Sequence, residues 1–140
     1  MIVLDTNVIS ELMRPAPRPE VVMWVDRQAA STLYLTALTL AEIRYGIAAL
    51  PSGRRRMALE AAFEDGIRPL FAGRVLDFDE PASLEYAALR AAAPGSGKAI
   101  GDIDALIAAI ARTHRFMVAT RDTAAFDAAG VSVLNPFEAA

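Results

Sequence analysis

Short apolar segments that alternate with helical patterns constrain this chain more than any other feature. Each segment is only four or five residues long, which suits a strand and is too short for a helix. Continuous apolar character at this length is typical of parallel strands that are buried on both faces. The predicted strands are Met1–Asp5, Leu33–Thr36, Val75–Phe78, Phe116–Thr120 and, as an edge strand before Asn135-Pro136, Val131–Leu134.

Helical signals fill the intervals between these strands. The clearest is the apolar stripe of Ile103, Leu106, Ile107 and Ile110, which recurs at helical spacing. Regular alternation of strand and helix predicts an α/β sandwich around a mainly parallel sheet, and the length suits a single domain over residues 1–140. The predicted helices are Pro19–Trp24, Thr39–Leu50, Gly53–Leu70, Pro81–Ala93 and Gly101–His114, with short ones starting near Val8 and ending at Phe126.

The composition narrows the chemistry available to the chain. It has no cysteine and one histidine, so zinc sites built from thiolates or several imidazoles are excluded. The opening MIVLDTN lacks a basic leader, and no apolar run approaches the roughly 20 residues that a bilayer requires. We therefore expect a cytoplasmic protein without a membrane partner, whose acid–base or metal chemistry depends on carboxylates.

Four carboxylates stand just after a predicted strand or at a predicted helix start: Asp5, Glu42, Asp104 and Asp122. In open α/β sheets this is the edge where ligands bind. Such a cluster would repel itself unless protons or a dication lay among its members. Oxygen ligands without histidine or cysteine favour Mg²⁺ or Mn²⁺, which serve phosphodiester hydrolysis by activating water and stabilising the leaving oxygen.

Helix capping is the competing interpretation of each acid. Asp5 would cap the helix near Val8, Thr39 and Glu42 spell a capping box, and Asp122 would start the helix to Phe126. At the Gly101 helix, Asp102 is the better capping candidate and Asp104 the better ligand, since they flank Ile103 on opposite sides. Residue by residue, both interpretations stay open.

The basic residues give weaker signals. Arg54, Arg55 and Arg56 are either a solvated helix start or contacts for substrate phosphates beside an acidic site. The loop Pro94–Lys98 ends like a phosphate-binding loop but lacks its first glycine and its strand, so we interpret it as a flexible turn. The net charge of −3 argues against a general nucleic-acid binder unless the acids are gathered in one cation-binding pocket.

Several blocks, taken in order, resemble the PIN-domain ribonucleases of the VapC toxin family, and most closely its FitB branch: IVLDTNVISEL, YLTALTLAEIRYGIAALPSGRRR, LFAGRVLDFDEP, DALIAAIA and VATRDTAAFDAAGVSVLNPF. The resemblance implies a three-layer α/β/α sandwich on a five-stranded, mainly parallel sheet and a ribonuclease that depends on Mg²⁺ or Mn²⁺. With RNA as the substrate, Arg54, Arg55 and Arg56 become candidate contacts for RNA phosphates. It places the family's acidic residues on Asp5, Glu42, Asp104 and Asp122, although many VapC relatives have asparagine at the last position. It also gives Asn7 and Thr120 a supporting role.

The same resemblance implies partners. Two toxins would form a homodimer and assemble with a small antitoxin, whose arginine enters the acidic pocket and whose own domains bind operator DNA. Two alternatives remain open. One is a receiver-type domain in which an aspartate accepts a phosphoryl group, although Lys98, the only lysine, precedes the Gly101 helix. The other is a dimeric binding partner with latent nuclease activity.

Overall fold

A computed structural model describes residues 1–92 and 100–138, so the turn predicted at Pro94–Lys98 lies outside the described residues. Its five strands form one sheet in the order β3-β2-β1-β4-β5, and every neighbouring pair is parallel. The predicted parallel sheet and the edge position of the last strand are confirmed. The strands are β1 (Ile2–Leu4), β2 (Leu33–Thr36), β3 (Val75–Leu76), β4 (Met117–Ala119) and β5 (Val133–Leu134).

Seven α-helices connect and cover these strands within the described residues. The helices are α1 (Thr6–Leu12), α2 (Pro19–Asp26), α3 (Ala37–Ala48), α4 (Arg54–Ala61), α5 (Glu80–Ala92), α6 (Asp102–His114) and α7 (Thr123–Ala128). None of them is long and apolar enough to cross a membrane.

Neighbouring residues of β1 enter different cores, because successive side chains of a strand point to opposite faces of the sheet. Leu4 packs with Val8 of α1 and Ile43 of α3. Val3 packs on the other face with Ile107 of α6 and Phe126 of α7. The sheet therefore lies between two helical layers, which confirms the predicted α/β/α sandwich.

The single helix predicted over Gly53–Leu70 is wrong. Helix α4 ends at Ala61, a wider π-helical turn covers Ala62–Ile67, and a 3₁₀ turn covers Arg68–Phe71. The wide turn buries Phe63 completely. Pro69, which has no backbone N–H to donate, then falls in the 3₁₀ turn instead of a helix interior.

The third strand is shorter than the predicted Val75–Phe78. It ends at Leu76, which pairs with Thr36 at the end of β2. Beyond it, the side chain of Asp79 accepts a 3.1 Å hydrogen bond from the backbone N–H of Ala82 and so caps the first turn of α5. The strand therefore ends at Leu76, because the chain turns towards the cap of α5 at Asp79.

Candidate active site

The order of the sheet reverses between β1 and β4, because the chain adds β2 and β3 on one side of β1 and β4 and β5 on the other. Parallel α/β sheets bind ligands beyond the carboxyl ends of their strands at this reversal. Asp5 directly follows β1 and Thr120 directly follows β4. The backbone N–H of Asp5 donates to the carbonyl of Ala119 at 3.0 Å, so the two strand ends are fixed side by side.

Asp5 is a buried carboxylate that accepts three hydrogen bonds. The donors are the backbone N–H of Thr6 at 2.8 Å, the hydroxyl of Thr120 at 2.8 Å and the amide of Asn7 at 3.3 Å. The pKa of Asp5 is raised to about 6, chiefly by burial and further by the charges of Asp104 and Glu42, while the hydrogen bonds from Thr120 and Thr6 act in the opposite direction. The Thr6 bond makes Asp5 the N-cap of α1, so one carboxylate caps the helix and also faces the crevice.

Glu42 belongs to the same crevice and not to a capping box. Helix α3 begins one turn earlier than predicted, and Thr36, rather than Thr39, caps it by accepting from the backbone N–H of Thr39. The Glu42 carboxylate instead accepts a 2.5 Å hydrogen bond from the hydroxyl of Thr6 at the start of α1. The capping-box prediction is therefore wrong, because the true cap takes the position three residues upstream.

The two acids at the start of α6 point to different surroundings. Asp104 is half-buried and faces Asp122 and Glu42, and its pKa is raised by burial and then by these two neighbouring charges. Asp102 is exposed and pairs with Arg90 of α5 at 2.5 Å. Gly101 precedes the helix and no side chain caps it, so the prediction that Asp102 is the cap is wrong.

Asp122 occupies the N-cap position of α7 without making a side-chain capping bond. The amide nitrogen of Asn7 lies 3.5 Å from Oδ2 of Asp122 and also donates to Thr120 at 3.2 Å. The Thr120 hydroxyl accepts from the backbone N–H of Asp122 at 2.9 Å as well. Asn7 and Thr120 thus connect Asp5 with Asp122 through hydrogen bonds.

The four candidate acids and Asn7 line one open cavity of about 600 Å³, which we call the acidic pocket. Within residues 1–92 and 100–138, no three Asp, Glu or His side chains are already arranged to hold a metal ion between them. The donor chemistry nevertheless suits Mg²⁺, which prefers carboxylate oxygens and commonly binds through one or two of them while it keeps several waters. The acidic pocket is lined by Asp5, Thr6, Asn7, Ser10, Glu11, Arg14, Glu42, Asp104, Arg121 and Asp122.

Three charged residues of this pocket, Glu11, Arg14 and Arg121, were not among the predicted site residues. Glu11 is 3% exposed, and its carboxylate lies 3.4 Å from Arg14 and 3.6 Å from Arg121. A usable signal was the spacing of Asn7 and Glu11, four residues apart, which places them on one face of α1, whereas Arg14 lies just beyond the end of this helix. Nothing in the sequence indicated the contact with Arg121, since it depends on how α1 meets the loop after β4.

A second cavity, of about 830 Å³, adjoins the acidic pocket, and we call it the apolar groove. It runs between α1, α3 and α4 over side chains that include Met13, Ile47 and Leu59. Thr6, Ser10, Arg14 and Glu42 line both cavities, so they are continuous. Of the arginines predicted to contact RNA, Arg55 lines the groove, Arg56 donates to the carbonyl of Leu50 at 3.5 Å, and Arg54 lies at the start of α4.

Comparison with known proteins places the chain in a family. The family model of the PIN domain matches residues 2–131. VapC ribonuclease Y4jK of Sinorhizobium fredii is 54% identical over 140 residues, covering 100% of both proteins. Toxin FitB of Neisseria gonorrhoeae is 50% identical over 137 residues, covering 98% of this chain and 99% of that protein. A solved structure of FitAB bound to an IR36 DNA fragment has a TM-score of 0.94 at 48% identity, covering 100% of this chain and 98% of that chain. This chain therefore belongs to the PIN-domain family, in the group of the VapC ribonucleases and the toxin FitB.

Proposed function

We propose that this protein is a Mg²⁺- or Mn²⁺-dependent ribonuclease and the toxin of a type II toxin–antitoxin pair. The observation that carries the proposal is the convergence of Asp5, Glu42, Asp104 and Asp122 beyond the point where the sheet order reverses. Mutual repulsion and burial raise the pKa values of Asp5 and Asp104, which is the electrostatic situation that a bound dication relieves. Membership in the PIN family favours this function over the receiver-type alternative.

Asp5 and Asp104 are the residues that we expect to hold the cation, with Glu42 and Asp122 beside them. A divalent cation there would neutralise the carboxylates and activate water for attack on an RNA phosphodiester. Thr120 and Asn7 orient Asp5 through its Oδ2 atom. The carboxylates of Asp5, Glu42 and Asp122 are held by hydrogen bonds from a strand end or from α1, which suits a site that must keep its geometry through the reaction.

Glu42 has one fixed oxygen and one available oxygen. Thr6 binds Oε1, whereas Oε2 makes no hydrogen bond within the described residues. A half-buried carboxylate fixed in this way can orient a water through Oε2 and accept its proton during attack on phosphorus. We assign Glu42 this role.

We propose that a small antitoxin covers both cavities. An apolar segment of the antitoxin would lie in the apolar groove, and an arginine of the same segment would enter the acidic pocket through the shared wall at Thr6 and Glu42. A guanidinium suits this position because it replaces the charge of the cation and pairs bidentately with carboxylates. The solved structure of FitAB bound to an IR36 DNA fragment supports assembly with an antitoxin into a complex that binds DNA, and we propose that the antitoxin contacts operator DNA. Homodimer formation and a cytoplasmic location complete the proposal.

The experiment that tests this function uses purified protein free of antitoxin and total bacterial RNA. We expect cleavage with Mg²⁺ or Mn²⁺, none with a chelator, and a loss of at least about a hundred-fold in rate for Asp5→Asn. Asp102→Asn is the matched control, since Asp102 pairs with Arg90 outside the pocket. Cleavage that continues in the chelator, or an Asp5→Asn variant as active as the wild type, would contradict the proposal. A folded wild type that cuts no RNA would favour the latent-nuclease alternative.

A further inference from the structure

Arg121 has its guanidinium stacked on an aromatic ring at the edge of the acidic pocket. Its central carbon lies 3.9 Å from the ring centroid of Phe137, and its side chain is 51% exposed. Stacking engages the face of a guanidinium and leaves the N–H groups at its edge free to donate. Within the described residues these groups make no hydrogen bond, and the nearest carboxylate oxygen, Oε1 of Glu11, is 3.6 Å away.

Several contacts fix the surface on which Arg121 rests. Phe137 is 4% exposed, and its carbonyl accepts a 3.3 Å hydrogen bond from Arg18. Glu11 is buried and accepts from the backbone N–H of Arg18 at 3.0 Å. The backbone N–H of Arg121 itself donates to the side chain of Asn7 at 3.2 Å. The guanidinium is therefore held in place before any ligand arrives, which lowers the entropic cost of binding.

Arg121 also lies on the path past the candidate catalytic acids. The acidic pocket and a neighbouring cavity, each of about 600 Å³, share the three residues Asp104, Arg121 and Asp122. An extended strand that crosses the acids from one cavity to the other must pass the free edge of the guanidinium. Arg14, which also contacts Glu11, stands in the wall of the acidic pocket.

We propose that Arg121 is a phosphate-binding residue for single-stranded RNA and contacts a phosphodiester next to the one that is cut. This inference rests on the proposed ribonuclease function and adds a subsite to it. A polyanion that approaches four clustered carboxylates is repelled, so a fixed cation beside them favours productive binding. Glu11 is shared by two arginines, which leaves positive charge on the rim, and the planar N–H pair at the edge of a guanidinium matches the oxygens of a phosphate.

Kinetics on a 5′-labelled single-stranded RNA that the wild type cuts will test the subsite. For Arg121→Gln we expect KM to rise roughly ten-fold while kcat changes less than about two-fold, because the contact is remote from the bond that breaks. Arg121→Lys keeps the charge but loses the planar pair and should lie between the two. The slope of log KM against log salt concentration should fall by about 0.7 when one phosphate contact is lost. Arg44→Gln is the matched control, since Arg44 is 49% exposed and pairs with Glu64 away from the pocket.

The same variants distinguish failure of the proposed subsite from failure of the proposed ribonuclease function. If the wild type cuts this RNA and Arg121→Gln keeps its KM and its salt slope, the subsite is overturned while the ribonuclease function stands. A wild type without cleavage overturns the function itself, before any variant is compared. If Arg121→Gln weakens capture of the antitoxin and leaves KM for RNA unchanged, Arg121 serves the protein partner, and the inference is wrong. Fluorescence anisotropy of the RNA with Asp104→Asn, with and without Arg121→Gln, measures binding without cleavage and should show the same ten-fold loss.

Discussion

The hydroxyl of Thr120 donates a 2.8 Å hydrogen bond to the buried carboxylate of Asp5, across the point where the sheet order reverses. The same oxygen accepts from the side chain of Asn7 and from the backbone N–H of Asp122. One fully buried hydroxyl therefore connects the ends of β4 and β1 to the start of α7. Its removal affects both the fold and the electrostatics of the candidate site.

Thr120→Val should lower the free energy of unfolding by roughly 1–3 kcal/mol, because it removes the donor to the buried carboxylate of Asp5 and the acceptor for the backbone N–H of Asp122. Thr120→Ser keeps the hydroxyl and should cost less. Thr113→Val is the matched control, since the Thr113 hydroxyl donates only to the carbonyl of Ala109 within its own helix. Urea denaturation at neutral pH measures all three variants, and equal costs for Thr120→Val and Thr113→Val would contradict this account.

The raised pKa of Asp5 makes the stability of the cation-free protein depend on pH. The pKa is about 6 in the folded protein and 3.8 in an ordinary aspartate, so between these values the folded state binds the proton more tightly. The free energy of unfolding therefore falls as pH rises from about 4 to about 6, by roughly 3 kcal/mol for this group alone. Asp5→Asn removes the titration.

Denaturation in a chelator at pH 4.5 and pH 7.5 tests this sign. The variant Asp5→Asn should be more stable relative to the wild type at pH 7.5 than at pH 4.5. Comparison of the two proteins cancels the titration of other acids and the hydrogen bonds that asparagine changes. If the difference between them is the same at both pH values, burial does not govern the ionisation of Asp5.

Divalent cations should stabilise the protein through Asp104 and not through Asp102. At pH 8 and a Mg²⁺ or Mn²⁺ concentration about 100 times its Kd, binding to the folded state alone adds about 2.7 kcal/mol. Asp104→Asn should lose most of the resulting rise in Tm, whereas Asp102→Asn, two residues away on the same helix, should keep it because Asp102 pairs with Arg90. A thermal melt with and without the cation measures both, and an equal loss in the two variants would remove Asp104 from the proposed ligands.

The layers of the fold were predictable because strand length and apolar periodicity depend on local sequence. The ends of the helices and strands were less predictable. Thr36 and Thr39 are both residue types that cap helices well, and only the position of α3 against the sheet selects Thr36. The candidate acids could be found because each follows a strand or starts a helix. The place of Glu11 in the pocket could not be predicted in the same way. Its contact with Arg121 depends on the tertiary position of a loop that is distant in the sequence.

The apolar groove gives the last prediction, which concerns the antitoxin. Ala58 of α4 is exposed and lines the groove, whereas Ala61 is an exposed alanine on the same helix that does not line it. Ala58→Glu puts a charged side chain where we expect apolar side chains of the antitoxin, and burying a charge in such a contact is costly. We expect capture of the cognate antitoxin to fall at least ten-fold for Ala58→Glu and to stay unchanged for Ala61→Glu. Cleavage of RNA by the free protein should persist in both variants, since neither alanine lines the acidic pocket. Co-purification of the tagged toxin with untagged antitoxin measures the first effect, and equal capture by the two variants would show that the antitoxin lies elsewhere.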